Sequence, residues 1–237
     1  MLEVQPRPIK ISESVANVWS ITKELIKNKG LRGIMSIDKD TPHHLMMDPY
    51  RLVQIIFNLV GNSIKFTHSG QVSLRITWLK GYHQVTSQCF EPIPYDETDE
   101  GIFEKDDHFL GIISRRKNHP SQDFSAQQTH TEESGVLKII VRDTGIGMSD
   151  DSLMKLFQKF SQVSDDPSTR QMGTGLGLYI TREIVQKMNG SIRAYSKEKV
   201  GSTFIVCIPT RSCVHDQHNP SRNEAIERLK LRRIKAI

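Results

Sequence analysis

Residues 48–67 read DPYRLVQIIFNLVGNSIKFT, and the fold is read outward from them. Asp48 followed by Pro49 places an N-cap acid before a proline at the first helical position, so the spacing predicts a helix from there to about Phe66. Leu52, Ile55, Ile56, Leu59 and Phe66 supply its apolar face. Asn58, Asn62 and Lys65 lie four and three residues apart and form one polar stripe, which Arg51 extends. Asparagines in mid-helix are unfavourable on propensity, and buried amides need partners. The stripe has two readings. One is a solvated face. The other is the wall of a phosphate pocket, in which an Asn oxygen ligates magnesium and Lys65 meets phosphate charge.

On either side the pattern alternates between helices and strands. Residues 12–30 predict an amphipathic helix capped by Ser12, with Val15, Val18, Trp19, Ile21, Leu25 and Ile26 on its apolar face and Gly30 at its end. A short strand is expected at 33–37. Residues 71–79 alternate with period two, with Val72, Leu74, Ile76 and Trp78 on one face. A second, more continuously apolar strand is expected at 137–141. A short helix follows at 149–160 and a longer one at 176–188, ended by Asn189-Gly190. Residues 191–196 and 202–208 read as a closing hairpin across Val200-Gly201. Two stretches break the rhythm. Residues 80–134 are rich in Gln, Ser, Thr, His, Asp and Glu and read as a mostly disordered insertion between adjacent strands. Residues 211–237 read as a polar, then basic, tail or linker.

Two further constellations carry chemistry. Asp143-Thr144-Gly145-Ile146-Gly147-Met148 follows a strand directly. An acid at a strand end can accept a hydrogen bond from an exocyclic amine such as that of adenine, and the glycines permit close approach. The bland reading is a strand-to-helix loop with a capping acid. Gly173-Thr174-Gly175-Leu176-Gly177-Leu178 opens a helix, where backbone N–H groups and the helix dipole favour phosphate. It is neither a Walker loop, since no Gly-Lys-Ser/Thr follows, nor a dinucleotide-binding fingerprint. Between these glycine stretches lie Phe157, Phe160 and a polar run at 161–170, a layout suited to a lid over a nucleotide.

The 237 residues allow one sizeable core with excursions. A net charge of +5 is mild. Much of it comes from Arg228, Lys230, Arg232, Arg233 and Lys235 in the tail, so it does not argue for nucleic acid. Cys89, Cys207 and Cys213 are odd in number and lack metal-ligand spacing; they read as reduced thiols in a cytosolic setting, with Cys207 in the core. No apolar run is long enough to span a bilayer.

Taken in order, these elements resemble the catalytic ATP-binding domain of histidine kinases in the GHKL superfamily. "NLVGNSIKFT" resembles its N box, "DTGIGM" its G1 box, "LFQKF" its F box and "GTGLGL" its G2 box. "FSQV" and "GSTF" are closest in style to hybrid sensor kinases. The likeness covers residues 1–210 apart from the insertion. It implies an α/β fold, a Bergerat-type two-layer sandwich with helices packed on one face of a mixed sheet and ATP between them. By matching position, Asn62 would coordinate magnesium, Asn58 would support the phosphate side and Lys65 would contact phosphate. Asp143 would bind the adenine amine, with Gly145 and Gly147 shaping the base pocket. Gly173, Thr174, Gly175, Leu176 and Gly177 would border the phosphates, with Lys159 and Arg170 as the lid cations available to the γ-phosphate. Gln162 stands where many members carry a basic lid residue, and Met172 replaces a glycine often doubled before the G2 box.

Hydrolysing relatives place a Glu four residues before the magnesium Asn, as general base for water. Here that position is Asn58, and an amide cannot take the proton. The resemblance therefore implies phosphoryl transfer to a separate nucleophile. In the family this is a histidine on a helical dimerisation domain N-terminal to the ATP-binding one, working as a homodimer and passing the phosphoryl group to a response-regulator or receiver domain. This chain starts where that domain should already have ended, which reads as a fragment or excised module. His215-Asp216 with Asn219-Pro220 resembles the acceptor box only faintly and lies on the wrong side. The other eight histidines lack that context. The expected location is the cytoplasm, including the cytoplasmic portion of a membrane sensor. The alternatives are a non-catalytic ATP-sensing module acting through its lid, and a GHKL serine kinase or ATPase, the latter opposed by Asn58.

Overall fold

A computed structural model describes residues 3–91, 109–112, 132–159 and 175–213, and at 109–112 the backbone path only. A six-stranded mixed sheet runs in the order β5-β2-β4-β6-β8-β7, built from β2 (Arg32–Ile37), β4 (Gln71–Lys80), β5 (Phe109–Ile112), β6 (Ser134–Asp143), β7 (Ser191–Lys197) and β8 (Gly201–Arg211). β2 runs parallel to β4 and β5, while β4, β6, β8 and β7 are successively antiparallel. Three longer helices, α1 (Ile11–Asn28), α2 (Pro49–Phe66) and α4 (Gly177–Lys187), join the main core with the sheet; the short α3 (Asp150–Lys155) adds Leu153, with Leu156 and Phe157 just after it. A small antiparallel ribbon of β1 (Arg7–Lys10) and β3 (His44–Met47) closes one end. The expected two-layer α/β sandwich is therefore the fold, although the ribbon was not foreseen: four-residue strands carry too little periodicity to be read.

The start of α2 follows from Asp48, whose carboxylate accepts from the Tyr50 and Arg51 N–H groups while Pro49 fills N1. At the other end Lys29 donates Nζ to the carbonyls of Ile64, Lys65 and Thr67 at 2.7, 2.9 and 3.1 Å. A cation at the negative end of a helix satisfies orphan carbonyls and complements the dipole.

Side chains on β4, β6 and β8 divide by parity. Val72, Leu74 and Ile76, Leu137, Ile139 and Val141, and Phe204, Val206 and Ile208 face the helices. Asp143 shares the parity of Leu137, Ile139 and Val141, which aims its carboxylate at α2. The opposite face carries Val136, Ile205 and Cys207, roofed by a 3-10 turn at Ser87–Phe90 that buries Cys89 and Phe90 against them. Two covered faces explain why β6 reads as continuously apolar rather than alternating.

Several local expectations are corrected. Ser12 does not cap α1; Lys10 occupies the N-cap position, because Ile11 is drawn into the core and its N–H bonds the His43 carbonyl. Ile21 and Leu25 leave the apolar face at 60% and 47% exposure. The buried stripe runs instead through Ile11, Val15, Val18, Trp19, Thr22 and Ile26, with the Thr22 hydroxyl spent on its own helix's Val18 and Trp19 carbonyls. α3 ends at Lys155, shorter than the expected 149–160. Within 80–134, expected to be mostly disordered, the described residues include the 3-10 turn, β5 and the first residue of β6; 92–108 and 113–131 lie outside them. Past β8, Ser212 bridges to Leu45 and the Cys213 N–H bonds the His44 carbonyl; the tail from 214 lies outside the described residues. Among the described residues no helix is long and apolar enough to cross a membrane.

Candidate functional site: two clefts that share Asn62

One cleft, of about 380 Å³, lies between the C-terminal half of α2 and the end of β6. Phe66, Ile146, Met148, Leu156, Leu178 and Phe204 make its walls apolar, and Asn62, Asp143 and Ser202 are its polar lining. Asp143 is 4% exposed. Its Oδ1 accepts from the Gly145 and Ser202 N–H groups at 3.0 and 3.2 Å, and Oδ2 accepts from the Ser63 hydroxyl at 2.9 Å. Burial pushes the Asp143 carboxyl above the usual carboxylate range, and the three donors hold it partly back. An anchored acceptor in a largely apolar cleft suits the amine edge of a purine.

Two glycines make this arrangement possible. Gly147 has φ +68, and a side chain there would strike the Lys197 carbonyl. Gly201, at φ +129, lets the hairpin backbone approach Asp143 closely enough for Ser202 to donate. Gly147 lines the cleft. Gly145 works from behind it, packed against the Phe66 carbonyl while donating to Asp143.

A second cleft, of about 630 Å³, opens on the other side of Asn62. Gln54, Phe57, Asn58, Gly61 and Asn62 of α2 face Gly177, Ile180 and Thr181 of α4 across it. Asn58 Nδ2 donates to Thr181 Oγ1 at 2.7 Å, and no side chain caps the start of α4. Among the described residues the half-buried Asn62 amide has no hydrogen-bond partner, so its oxygen is available to a ligand. A neutral amide oxygen is a fitting donor for a hard cation that keeps several waters, and the N–H groups at the start of α4 fit an anion. These residues suit magnesium and a triphosphate.

The α2 amides, Asp143 and Gly177 thus come together around Asn62. Lys65 lines neither cleft; its ammonium lies 4.6 Å from the Phe66 ring centroid, and burial lowers its pKa. Lys159 also lines neither, resting 5.0 Å from the Tyr179 ring centroid. Gly175 adopts φ +66, and Leu176 occupies the N-cap of α4. Arg170, Gly173, Thr174 and the Phe160 half of the expected lid lie outside the described residues. Ser63, Ser202 and Thr181 were not singled out in the sequence. Their only local signal is a small hydroxyl beside a motif residue, which is commonplace.

The profile of a family described as "Histidine kinase-, DNA gyrase B-, and HSP90-like ATPase" matches residues 116–212. Probable histidine kinase 1 of Oryza sativa subsp. indica is 32% identical over 214 residues, which cover 84% of this chain and 22% of that protein. Signal transduction histidine-protein kinase BarA of Escherichia coli (strain K12) is 29% identical over 204 residues, 86% of this chain and 17% of that protein. The chain thus spans about a fifth of the length of these curated relatives. The crystal structure of full-length ShkA in complex with AMPPNP shares the fold at TM-score 0.58 and 21% identity, covering 90% of this chain and 32% of that one. The nucleotide-free catalytic domain of histidine kinase ThkA does so at 0.53 and 19%, covering 86% of this chain and 95% of that one. Boxes, relatives and fold agree that this chain carries a member of the histidine kinase-, DNA gyrase B- and HSP90-like ATPase family, of the kind that forms the ATP-binding catalytic domain of histidine kinases.

Proposed function

We propose that this chain holds magnesium–ATP between α2 and α4 and donates the γ-phosphoryl group to a histidine on a separate dimerisation domain, in a two-component phosphorelay. The observation that carries this reading is that Asn62 lines both clefts, with Asp143 beyond it on one side and Asn58 and Gly177 on the other. Asp143 receives the adenine amine. The start of α4, with Gly173, Thr174, Gly175, Leu176 and Gly177, borders the phosphates. Lys65 and Lys159, which line neither cleft in this structure, and Arg170 are the cations that would have to reach them. Asn62 holds magnesium, with Asn58 beside it; the metal, when bound, offsets phosphate charge.

Asn58 bears on the reaction as well. An amide cannot act as a general base, so no side chain at that position activates water. Transfer then needs an outside nucleophile. An imidazole nitrogen forms the N–P bond as the bond from the γ-phosphorus to the bridging oxygen breaks, ADP leaves, and the imidazole gives up its proton. Catalysis of that step is chiefly positioning and charge stabilisation. The nucleophile comes from the dimerisation domain of a full-length homodimer, and a receiver domain accepts the group next. On this reading the reaction belongs to the cytoplasm.

The test combines this chain with a separately produced dimerisation domain, γ-labelled ATP and magnesium. Acid-labile label on the partner's histidine is the expected result. Tight ATP binding with no transfer to any such partner would favour an ATP-sensing module instead. Asn62→Ala is expected to abolish magnesium-dependent nucleotide binding, read by calorimetry with and without EDTA; unchanged affinity would refute the role given to Asn62.

A further inference from the structure

The side-chain amide of Asn58 has two chemically opposite ends, and whatever holds it decides which end meets the nucleotide. Its Nδ2 donates to Thr181 Oγ1 at 2.7 Å, and that hydroxyl donates in turn to the Gly177 carbonyl at 3.0 Å. A hydroxyl has a single proton. With the proton committed to Gly177, Thr181 can only accept from Asn58, so the group it meets is the NH2 and the carbonyl oxygen is turned away from it. Thr181 is 1% exposed, which shields the relay from competing water. The freed oxygen, Oδ1, lies against Gly177 at the first residue of α4, where an added methyl group would come within 2.6 Å of it.

This orientation has chemical consequences. An amide oxygen can ligate a hard cation, whereas the NH2 group cannot. A half-turn of the Asn58 amide would put two N–H hydrogens where the oxygen now lies, against Gly177. Asn58 and Asn62 line the second cleft together with Gly177 and Thr181.

Two other buried threonines provide a comparison within the molecule. Among the described residues the Thr22 hydroxyl bonds only the Val18 and Trp19 carbonyls of its own helix, and the Thr67 hydroxyl only the Ser63 carbonyl at the end of α2. Those are local back-bonds. Thr181 makes the same local bond and adds one to α2, 123 positions away in sequence.

We propose that Thr181 is a positioning residue that holds the Asn58 amide with its oxygen toward Gly177 in the second cleft, where a hard cation can use it, and so couples the start of α4 to metal-dependent nucleotide binding. The inference rests on the magnesium–ATP reading given above.

The test measures ATP affinity of the whole chain by calorimetry, once in excess magnesium and once in EDTA; the ratio of the two is the metal coupling. Thr181→Val, which removes the hydroxyl at nearly constant shape, is expected to lower that ratio about tenfold, the worth of one hydrogen bond to an oriented group, and to change the metal-free affinity less than about twofold. Thr181→Ser is expected to retain the parental ratio, and Thr22→Val to leave both affinities alone. Asp at position 58 has two equivalent oxygens and no wrong way round. In an Asn58→Asp background, Thr181→Val is therefore expected to lose its effect on the ratio. Thr181→Ala removes the same hydroxyl with less bulk and repeats the comparison should the valine fail to pack, as judged by thermal melting. If loss of the hydroxyl weakens ATP equally with and without magnesium, its role is packing and the inference is overturned. It is equally overturned if neither affinity changes, or if the effect persists unchanged beside Asp at 58. A parent protein that binds ATP no better with magnesium than without would overturn the magnesium–ATP reading itself and this inference with it.

Discussion

Asp143 combines burial with three donors, and these pull its titration in opposite directions. Burial dominates, so the folded carboxyl keeps its proton to a higher pH than the unfolded one. This group therefore favours folding at low pH, and its contribution is lost as pH rises from the ordinary carboxylate value through the raised one. On the proposed reading adenine binding has the opposite sign, because its amine bonds more strongly to the ionised form as acceptor. ATP affinity is therefore expected to fall on acidification beginning above the ordinary carboxylate range. Asp143→Asn should abolish that dependence and weaken ATP binding by roughly 10- to 100-fold, the worth of a hydrogen bond to a charged group. Titrations of both proteins at stepped pH, with GTP alongside, cancel the nucleotide's own ionisation. A variant that still prefers ATP to GTP as strongly as the parent would show that the adenine contact is misassigned.

Among the elements, α2 carries most of the site, and both of its ends are held by charge. Asp48 takes the first free N–H groups and also the Gln5 N–H at 2.9 Å, which ties the segment before β1 to the helix start. Lys29 takes the last carbonyls. Asn58 and Asn62 lie between, on the face turned to the clefts, and can tolerate their poor propensity because the helix is anchored at both ends and buried along its other face. Asp48→Ala is expected to cost about 1–2 kcal/mol. In urea unfolding the midpoint should fall with the slope unchanged, while the metal coupling of nucleotide binding stays at the parental value. A loss of coupling equal to that of Asn62→Ala would mean the cap positions the amides directly.

At the scale of the whole molecule, the sheet is covered on both faces. The turn at Ser87–Phe90 seals the face away from the helices, where the Lys138 ammonium is buried and donates to the Glu91 carbonyl at 2.6 Å, and the Arg193 guanidinium stacks 4.3 Å from the Phe90 ring centroid. Burial there pushes the Cys207 thiol up to about 12, so it stays protonated and unreactive at neutral pH. Phe90→Ala should loosen this roof at a cost of about 3 kcal/mol. Alkylation followed by peptide mapping is expected to label half-exposed Cys213 first in the parent, and to reach Cys207 markedly faster in the variant. Equal rates at Cys207 in both proteins would show that the turn does not control access to that face.

What could be read along the chain was whatever repeats or caps locally. The helix behind Asp48-Pro49, the alternation of β4, the Asn189-Gly190 stop and the order of the four boxes all follow from backbone geometry and side-chain period within a few residues. The α/β sandwich and the grouping of Asn62 with Asp143 were legible through them. The rest depends on contacts between segments far apart in sequence. The stripe on α1 excludes Ile21 and Leu25 because α2 and the sheet reach only one arc of the helix. The turn at Ser87–Phe90 packs because β6 and β8 leave apolar side chains on their second face. The Ser202 and Ser63 donors to Asp143 and the Thr181 hydroxyl on Asn58 come from strands and helices 59, 80 and 123 positions away. A lone Ser or Thr carries no period, and only the assembled sheet brings its hydroxyl or backbone N–H to the group it serves.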